Sequence, residues 1–426
     1  MVKFKFAAAG AQTASVGVPV SLAACHAAWQ RARRGKKPSA NQLAFEARWL
    51  DRLQTLRTSL REGGWQPART VSFVVKHPKT REIHAPDFAD RVVHHLLVER
   101  LAKLYEPVFI HDSYANRAGR GSHAAVDRLQ SFMRQRENMP SAHSDGGPCT
   151  GWYLQSDIHN FFNSIHRPTL YALLCKRLAL AEKRQQLPSR HVLALRSLCH
   201  KLLARRVPEL VRDPAAAAKV PPHKRLCNAA PGCGLPVGNL SSQFFANVYL
   251  NALDQFVKHT LKVRHYVRYV DDFVLLASNR EQLVQWQAQI EVFLHHQLHL
   301  KCKDGAVLQA CTQGLDFLGY RVYAHHRLVR PRVVRHCCAK LSQWQQRHSQ
   351  SERVRPADFA QLQALLGSYW GHFGHANSVR LRRSLFARMP WLQVYFTLQA
   401  DARLVVNRPA RWQVLRHRAM RRFLTD

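Results

Sequence analysis

Asp271 and Asp272 stand side by side within Tyr266-Val-Arg-Tyr-Val-Asp-Asp-Phe-Val-Leu-Leu276. The β-forming residues on both sides predict two half-buried strands joined by a tight turn, with the acids held at its tip. Neighbouring like charges in such a place are costly unless a cation compensates them, and hard carboxylate oxygens suit a divalent ion such as Mg²⁺. Two such ions about 3.5–4 Å apart would activate a hydroxyl nucleophile and stabilise a leaving pyrophosphate. An isolated Asp-Asp pair would be read as an exposed turn, but this pair has companions.

The first companion is Asp157, which ends the strand-like run Trp152-Tyr-Leu-Gln-Ser-Asp157 and opens Asp-Ile-His-Asn-Phe-Phe162. Alone it would be a helix N-cap. If its strand pairs with the Asp271-Asp272 hairpin, it becomes a third acid for a shared cation site. The second companion is Gly234-Leu-Pro-Val-Gly-Asn-Leu-Ser-Ser-Gln243, a flexible loop running into a helix. Glycines there let backbone approach a base pair closely, and Ser241, Ser242 and Gln243 could bond to a template or its backbone.

The elements that must position these residues are readable in outline. Helical spacing covers Ser39 to Glu62 and ends at Gly63-Gly64, and Thr70–Val75 reads as a strand followed by a basic turn from Lys76 to Ile83. A second helical pattern covers Asp90 to Leu104. Residues 139–151, rich in Pro, Ser and Gly, read as a loop leading into the Trp152 strand. Helical segments and an irregular stretch, Asp213 to Pro222, fill the interval to Gly232 and read as an insertion. Helices return after Leu240 and over Gln282 to Leu298, and from Val333 onward the pattern is helical and basic.

Composition narrows the partners. The chain has 426 residues, is 46% hydrophobic, and carries 64 Lys and Arg against 27 Asp and Glu, a formal net charge of +37. A globular protein with so large an excess, spread along its whole length, calls for a polyanion, and a phosphate backbone is the usual one. A membrane surface is the lesser alternative. No apolar run approaches the roughly 20 residues of a membrane span, and Gln12, Thr13 and Ser15 interrupt the signal-like opening. Ten cysteines occur without a Cys-x-x-Cys pair, which points to a reducing cytosol. Cys227 with Cys233, and His336 with Cys337 and Cys338, are weak metal candidates.

In order, Asp157-Ile-x-x-Phe-Phe162, Gly234 to Gln243, Tyr269-Val-Asp-Asp272 and Gly314-Leu-Asp-Phe-Leu-Gly-Tyr320 resemble the palm of a reverse transcriptase, motif after motif, over residues about 40 to 383. The resemblance implies an α+β right-hand polymerase fold: an N-terminal extension and fingers over 1–150, a palm with an antiparallel sheet over 151–325 with an insertion at about 183–232, a helical thumb over 326–390, and a basic, helix-compatible tail over 391–426. It implies that Asp157, Asp271 and Asp272, with the carbonyl of Ile158, hold two Mg²⁺ ions, with Mn²⁺ as substitute. Phe162 falls where an aromatic ring blocks a 2′-hydroxyl, and Phe161 beside it reads as core. Lys76 or Lys79, with Arg81, matches the clamp on an incoming triphosphate; Val237 and Gly238 border the same nucleotide. Ser242 and Gln243 face template. Gly314, Leu318, Gly319 and Tyr320 match the primer grip, and Lys303 the lysine that would protonate pyrophosphate. Tyr369 to Asn377 lies where a thumb grips duplex.

Within the family, Val237-Gly238-x-x-x-Ser242-Gln243 departs from the common Gln-Gly and Ser-Pro pairs and resembles the diversity-generating retroelement type, as does Ser113-Tyr-Ala-Asn-Arg-Ala-Gly-Arg-Gly121. That likeness implies error-prone copying, at adenines, of a structured template-repeat RNA, with primer, cDNA and deoxynucleoside triphosphates as further partners. It also implies a basic accessory protein forming a small oligomeric barrel, no membrane partner, and the cytoplasm of a bacterial, phage or archaeal host. The alternatives are a domesticated reverse transcriptase of phage defence, a group II intron-like enzyme, and, from another class, a catalytically silent RNA-binding scaffold.

Overall fold

The structure, a computed structural model, describes residues 16–35, 37–75, 80–137, 151–205, 213–349 and 354–407. Mixed helices and antiparallel strands make an α+β fold, as expected. The chain divides into two compact units, residues 1–121, 154–275 and 280–308 in one and residues 122–153, 276–279 and 309–426 in the other. Neither unit is one continuous block, so the consecutive division into fingers, palm and thumb describes the order of motifs rather than these units.

In the first unit, helices α1 (Leu22–Arg33), α2 (Ala40–Glu46) and α3 (Trp49–Arg61) lead to the hairpin of β1 (Thr70–Val75) and β2 (Arg81–Pro86). The single helix expected over Ser39 to Glu62 is two. Ser39 caps α2 through its hydroxyl, and the helix ends at Ala47, with Arg48 leaving helical backbone (φ −134°, ψ 46°) before α3 starts. Helix α4 (Phe88–Tyr105) buries a broad apolar face, including Val92, Val93, Leu97 and Leu101, and packs on α1. Helix α5 (Ser122–Glu137) belongs to the other unit.

Of the loop expected over 139–151, residues 139–150 lie outside the described residues. Strand β3 (Trp152–Ser156) leads through Asp157 to a short helix, α6 (Phe161–Ser164). The region read as an insertion holds the end of α7 (Arg167–Lys183), then α8 (Ser189–Ala204) and α9 (Pro214–Ala218). Leu170, Leu174 and Leu178 of α7 are fully buried ahead of that region, and Ala194 and Cys199 of α8 are fully buried within it, so α8 contributes to the core. Helix α10 (Leu240–Gln255) follows, with Phe244 to Leu250 buried without a gap, and it contacts α4 and α7.

Strands β4 (His265–Tyr269) and β5 (Asp272–Ala277), helix α11 (Arg280–Leu298) and strand β6 (Val307–Ala310) complete the centre. The strand order is β4-β5-β3-β6. β4 and β5 are buried along nearly their whole length, not half-buried as their sequence implied, because a strand covered on both faces reads as a continuous apolar run.

In the second unit, β7 (Leu315–Phe317), β8 (Tyr320–Val322) and β9 (Arg327–Val329) form an antiparallel sheet. Helices α12 (Pro331–His348), α13 (Pro356–Gly374) and α14 (Val379–Ala387) then enclose an aromatic core. Trp344 stacks on Trp391 at 5.3 Å and meets the edge of Tyr395. The tail is not helical where it is described: β10 (Phe396–Leu398) and β11 (Leu404–Val406) form a hairpin, and Trp391, Leu392, Tyr395 and Phe396 are core residues of the helical cluster. β-branched and aromatic residues on either side of an Asp-containing turn account for the strands. Residues 408–426 lie outside the described residues.

Candidate active site

The two residues between β4 and β5, Val270 and Asp271, are the whole turn. Two-residue hairpin turns that match strand twist need positive φ at the first central residue. Val270 supplies it at φ 58°, a conformation uncommon for any non-glycine residue and an outlier for a β-branched one. Because β3 lies beside β5, Asp157 leaves its strand next to this turn, although it precedes Asp271 by 114 residues.

The two carboxyls meet. Asp271 and Asp157 share a hydrogen bond, and the Asp271 pKa is pushed up to about 7 by burial first and by the Asp157 charge second; Arg81, at the start of β2, pulls the other way. Two carboxyls so placed cannot both ionise without a compensating charge. Asp272 sits on the neighbouring strand position and accepts from Gln155 Nε2 of β3 at 3.1 Å. Among the described residues no three His, Cys, Asp or Glu side chains converge into a metal cage. Two hard carboxylates nonetheless fit Mg²⁺, which keeps most of its ligands from water and substrate phosphates. A carboxyl pair that shares a proton in this way is the donor set from which a divalent ion would displace that proton.

Other residues expected in the site gather around these acids. Ile158 is buried directly after Asp157. The Lys303 backbone N–H donates to the Asp157 carbonyl at 2.7 Å, and His159 N–H to Lys301 at 2.8 Å, so the exposed Lys303 stands beside Asp157. Phe161 is buried and Phe162 half-buried, their rings edge to face at 5.5 Å. The Phe162 carbonyl accepts from Leu235 N–H at 2.8 Å, which ties the turn after Asp157 to the Gly234–Asn239 loop. That loop in turn rests on β2. His84 N–H donates to the Val237 carbonyl at 2.7 Å, and at Gly238 (φ 120°) an added Cβ would fall 2.9 Å from Ile83 Cγ2. Only glycine fits there.

Further along, Ser241 Oγ bonds His94 Nδ1 at 2.7 Å, and both Ser241 and Ser242 are buried. Of that trio only Gln243 keeps substantial exposure. The serines expected to face template therefore serve the packing of α10, because a helix buried on nearly all sides needs small residues where it meets α4. Lys76 and Lys79 lie outside the described residues.

In the second unit, Leu318 (φ 47°) and Gly319 (φ 96°) make the two-residue turn between β7 and β8. Gly314 (φ 74°) precedes β7, with Tyr323 where a Cβ would stand. Tyr320 stacks on His372 at 4.3 Å and donates its hydroxyl to the His372 carbonyl at 2.8 Å. The hairpin shape expected of Gly314 to Tyr320 is present. Of the cysteine and histidine candidates, Cys337 is fully buried in the aromatic core and His336 bonds the Tyr369 hydroxyl.

Sequence reasoning passed over Arg268, Asp254 and Gln155. The signal was there: a lone Arg within the apolar strand Tyr266-Val-Arg-Tyr269, and a lone Asp near the end of an apolar helix 14 residues earlier. Buried charges come in pairs.

Residues 74–322, more than half of the chain, match the reverse transcriptase (RNA-dependent DNA polymerase) family, and the protein belongs to that family. Group II intron-encoded protein LtrA of Lactococcus lactis subsp. cremoris is 22% identical over 338 residues, covering 64% of this chain and 50% of LtrA. Protein YkfC of Escherichia coli is 23% identical over 328 residues, covering 68% of this chain and 75% of YkfC. The chain thus spans half the length of LtrA. A telomerase structure from Candida albicans aligns over 77% of this chain and 55% of its own, at a TM-score of 0.41 and 13% identity.

Proposed function

We propose that this protein copies RNA into DNA, transferring a deoxynucleotidyl group to a primer hydroxyl with Mg²⁺ as cofactor. One observation carries the reading: two half-buried carboxyls from distant parts of a reverse transcriptase chain meet at the end of a buried sheet. Asp157 and Asp271 would hold the cation, with Asp272 beside them, and when bound it would supply most of the charge stabilisation of phosphoryl transfer. Arg81 partly offsets the negative charge at Asp271, and its guanidinium would suit a triphosphate. Phe162, partly exposed in the turn after Asp157, is the residue proposed to block a 2′-hydroxyl. Lys303, exposed and tied by its backbone to Asp157, would be the proton donor to departing pyrophosphate. The net charge of +37 suits a long contact with template and primer phosphates.

The finer proposal is a diversity-generating enzyme, error-prone at template adenines, working on a structured RNA with a basic barrel-forming accessory protein. Val237 supports it. By the resemblance Val237 takes the position of a glutamine that contacts the incoming nucleotide, and a short apolar side chain there would weaken selection against wrong pairs. Similarity to LtrA and YkfC supports a second reading, an accurate group II intron-like enzyme. Sequencing cDNA made by the purified protein on a defined RNA separates them. Errors concentrated opposite adenines, lowered by Val237→Gln, favour the first; accurate product favours the second, and no product with or without native RNA and partners would leave an RNA-binding scaffold.

A further inference from the structure

Beneath the acid turn lies a buried ion pair that the chemistry above does not use. Arg268 of β4 and Asp254 of α10 are each 0% exposed, with Arg268 Nε and Nη2 on the two Asp254 oxygens at 2.7 and 2.5 Å. The Tyr266 hydroxyl donates to the same carboxylate at 2.9 Å. Burial opposes the Arg268 charge, but Asp254 more than offsets this and the guanidinium pKa is raised. What remains of the fork is spent upward. Nη2 reaches Ser113 Oγ at 3.0 Å, and Nη1 reaches the Val270 carbonyl at 2.8 Å and Asn247 Oδ1 at 3.4 Å. The Arg268 backbone is fixed as well: its N–H donates to Asp112 and its carbonyl accepts from Tyr114.

Of all these partners, the Val270 carbonyl is the one with a direct chemical consequence. Val270 is the β-branched residue at φ 58°, and its carbonyl is the peptide group that leads into Asp271. Left to itself a valine leaves this region readily, and strained backbone persists only where its surroundings over-determine it. Asp254 of α10 already fixes the guanidinium, so the plane of the 270–271 peptide is dictated from the core.

We infer that Arg268 is a positioning residue: anchored by Asp254, it holds Val270 in its left-handed conformation and thereby sets the direction in which Asp271 meets Asp157 and a divalent cation. The inference rests on reading Asp157 and Asp271 as cation ligands. Lysine cannot replace arginine here, because one ammonium cannot span both the carboxylate and the Val270 carbonyl in a fixed fork.

The test compares the full chain in native form, as Arg268→Lys, and as the charge-balanced pair Asp254→Asn/Arg268→Met, each with and without Val270→Gly. Two quantities are read: Mn²⁺ affinity by electron paramagnetic resonance, and single-turnover primer extension on an RNA template. Both Arg268 backgrounds should weaken Mn²⁺ binding by about 10- to 100-fold, the population cost of freeing a strained residue. Adding Val270→Gly should recover binding to within about threefold of native, because glycine takes positive φ unaided. Val270→Gly alone is the reference against which that recovery is read. A merely structural Arg268 would lower the melting temperature and show no recovery with glycine. Undiminished Mn²⁺ affinity in both Arg268 backgrounds, or loss without glycine rescue, overturns the inference, as does a native chain that binds no Mn²⁺. Glycine-rescued Mn²⁺ binding in a protein that extends no primer would sink the polymerase reading and leave the positioning role intact.

Discussion

Replacing Asp271 with asparagine should make the cation-free protein more stable at neutral pH. Asp271 shares a hydrogen bond with Asp157, and burial together with that neighbour lifts its pKa from 3.8 to about 7. In the unfolded chain the same group ionises near 4. Below that pH both states hold the proton. As pH rises the unfolded chain releases its proton first, so the folded state loses stability steadily until about pH 7, beyond which the penalty is constant. At about 1.4 kcal/mol per pKa unit the upper bound is about 4 kcal/mol, and partial solvent access and division of the interaction with Asp157 bring it to about 2–3 kcal/mol. Asparagine keeps the shape, can donate to Asp157, and has no proton to lose. Urea titrations in EDTA should therefore show Asp271→Asn close to native at pH 4 and about 2–3 kcal/mol more stable at pH 8. Asp90, also raised, to about 6, contributes equally to both proteins and drops out of the difference. Mg²⁺ at pH 8 should stabilise the native protein and act more weakly on the variant. A variant no more stable than native at pH 8, or a difference independent of pH, would refute the account of two carboxyls in contact.

Three further outcomes follow from the geometry. Alanine at Asp157, Asp271 or Asp272 should lower primer extension by at least about 1,000-fold while leaving RNA affinity within about twofold, since charge stabilisation acts on the transition state; parallel loss of binding would contradict the assignment. Gly238→Ala should cut single-turnover synthesis by about tenfold or more and speed amide exchange at His84, because its Cβ would meet Ile83 and the His84 carbonyl at a positive φ. Trp344→Ala should cost about 3–5 kcal/mol by denaturant titration, as Trp344 is 2% exposed, stacks on Trp391 and donates its indole N–H to the Asp358 carbonyl.

The acids were legible from sequence because their surroundings are monotonous: apolar strands make an Asp-Asp pair stand out, and Asp157 ends a strand-like run of its own. Strand β1 and helices α4, α10 and α11 were legible for the same reason, since their apolar periods run uninterrupted. What failed depended on tertiary context. The burial of both faces of β4 and β5 cannot be told from half-burial when the run is short. The break at Ala47 and Arg48 carries no proline or glycine to announce it. Ser241 and Ser242 look like template contacts until α4 supplies His94 and closes over them. The last described hairpin was hidden by the basic residues around it, whose charge says nothing about whether Tyr395 and Phe396 pack inward.

The place of β3 in its sheet has a consequence for the birth of the protein. Both of its neighbours, β5 and β6, lie downstream in the chain, and β5 begins well over 100 residues after β3 ends. At about 5–20 residues per second of synthesis, β3 waits on the order of 6–20 seconds before a partner strand is made. Through that interval Tyr153 and Leu154, fully covered in the finished molecule, belong to a strand with two open edges, the arrangement most prone to pair with another chain. Lower growth temperature and chaperones that shield nascent strands should therefore raise the yield of folded protein.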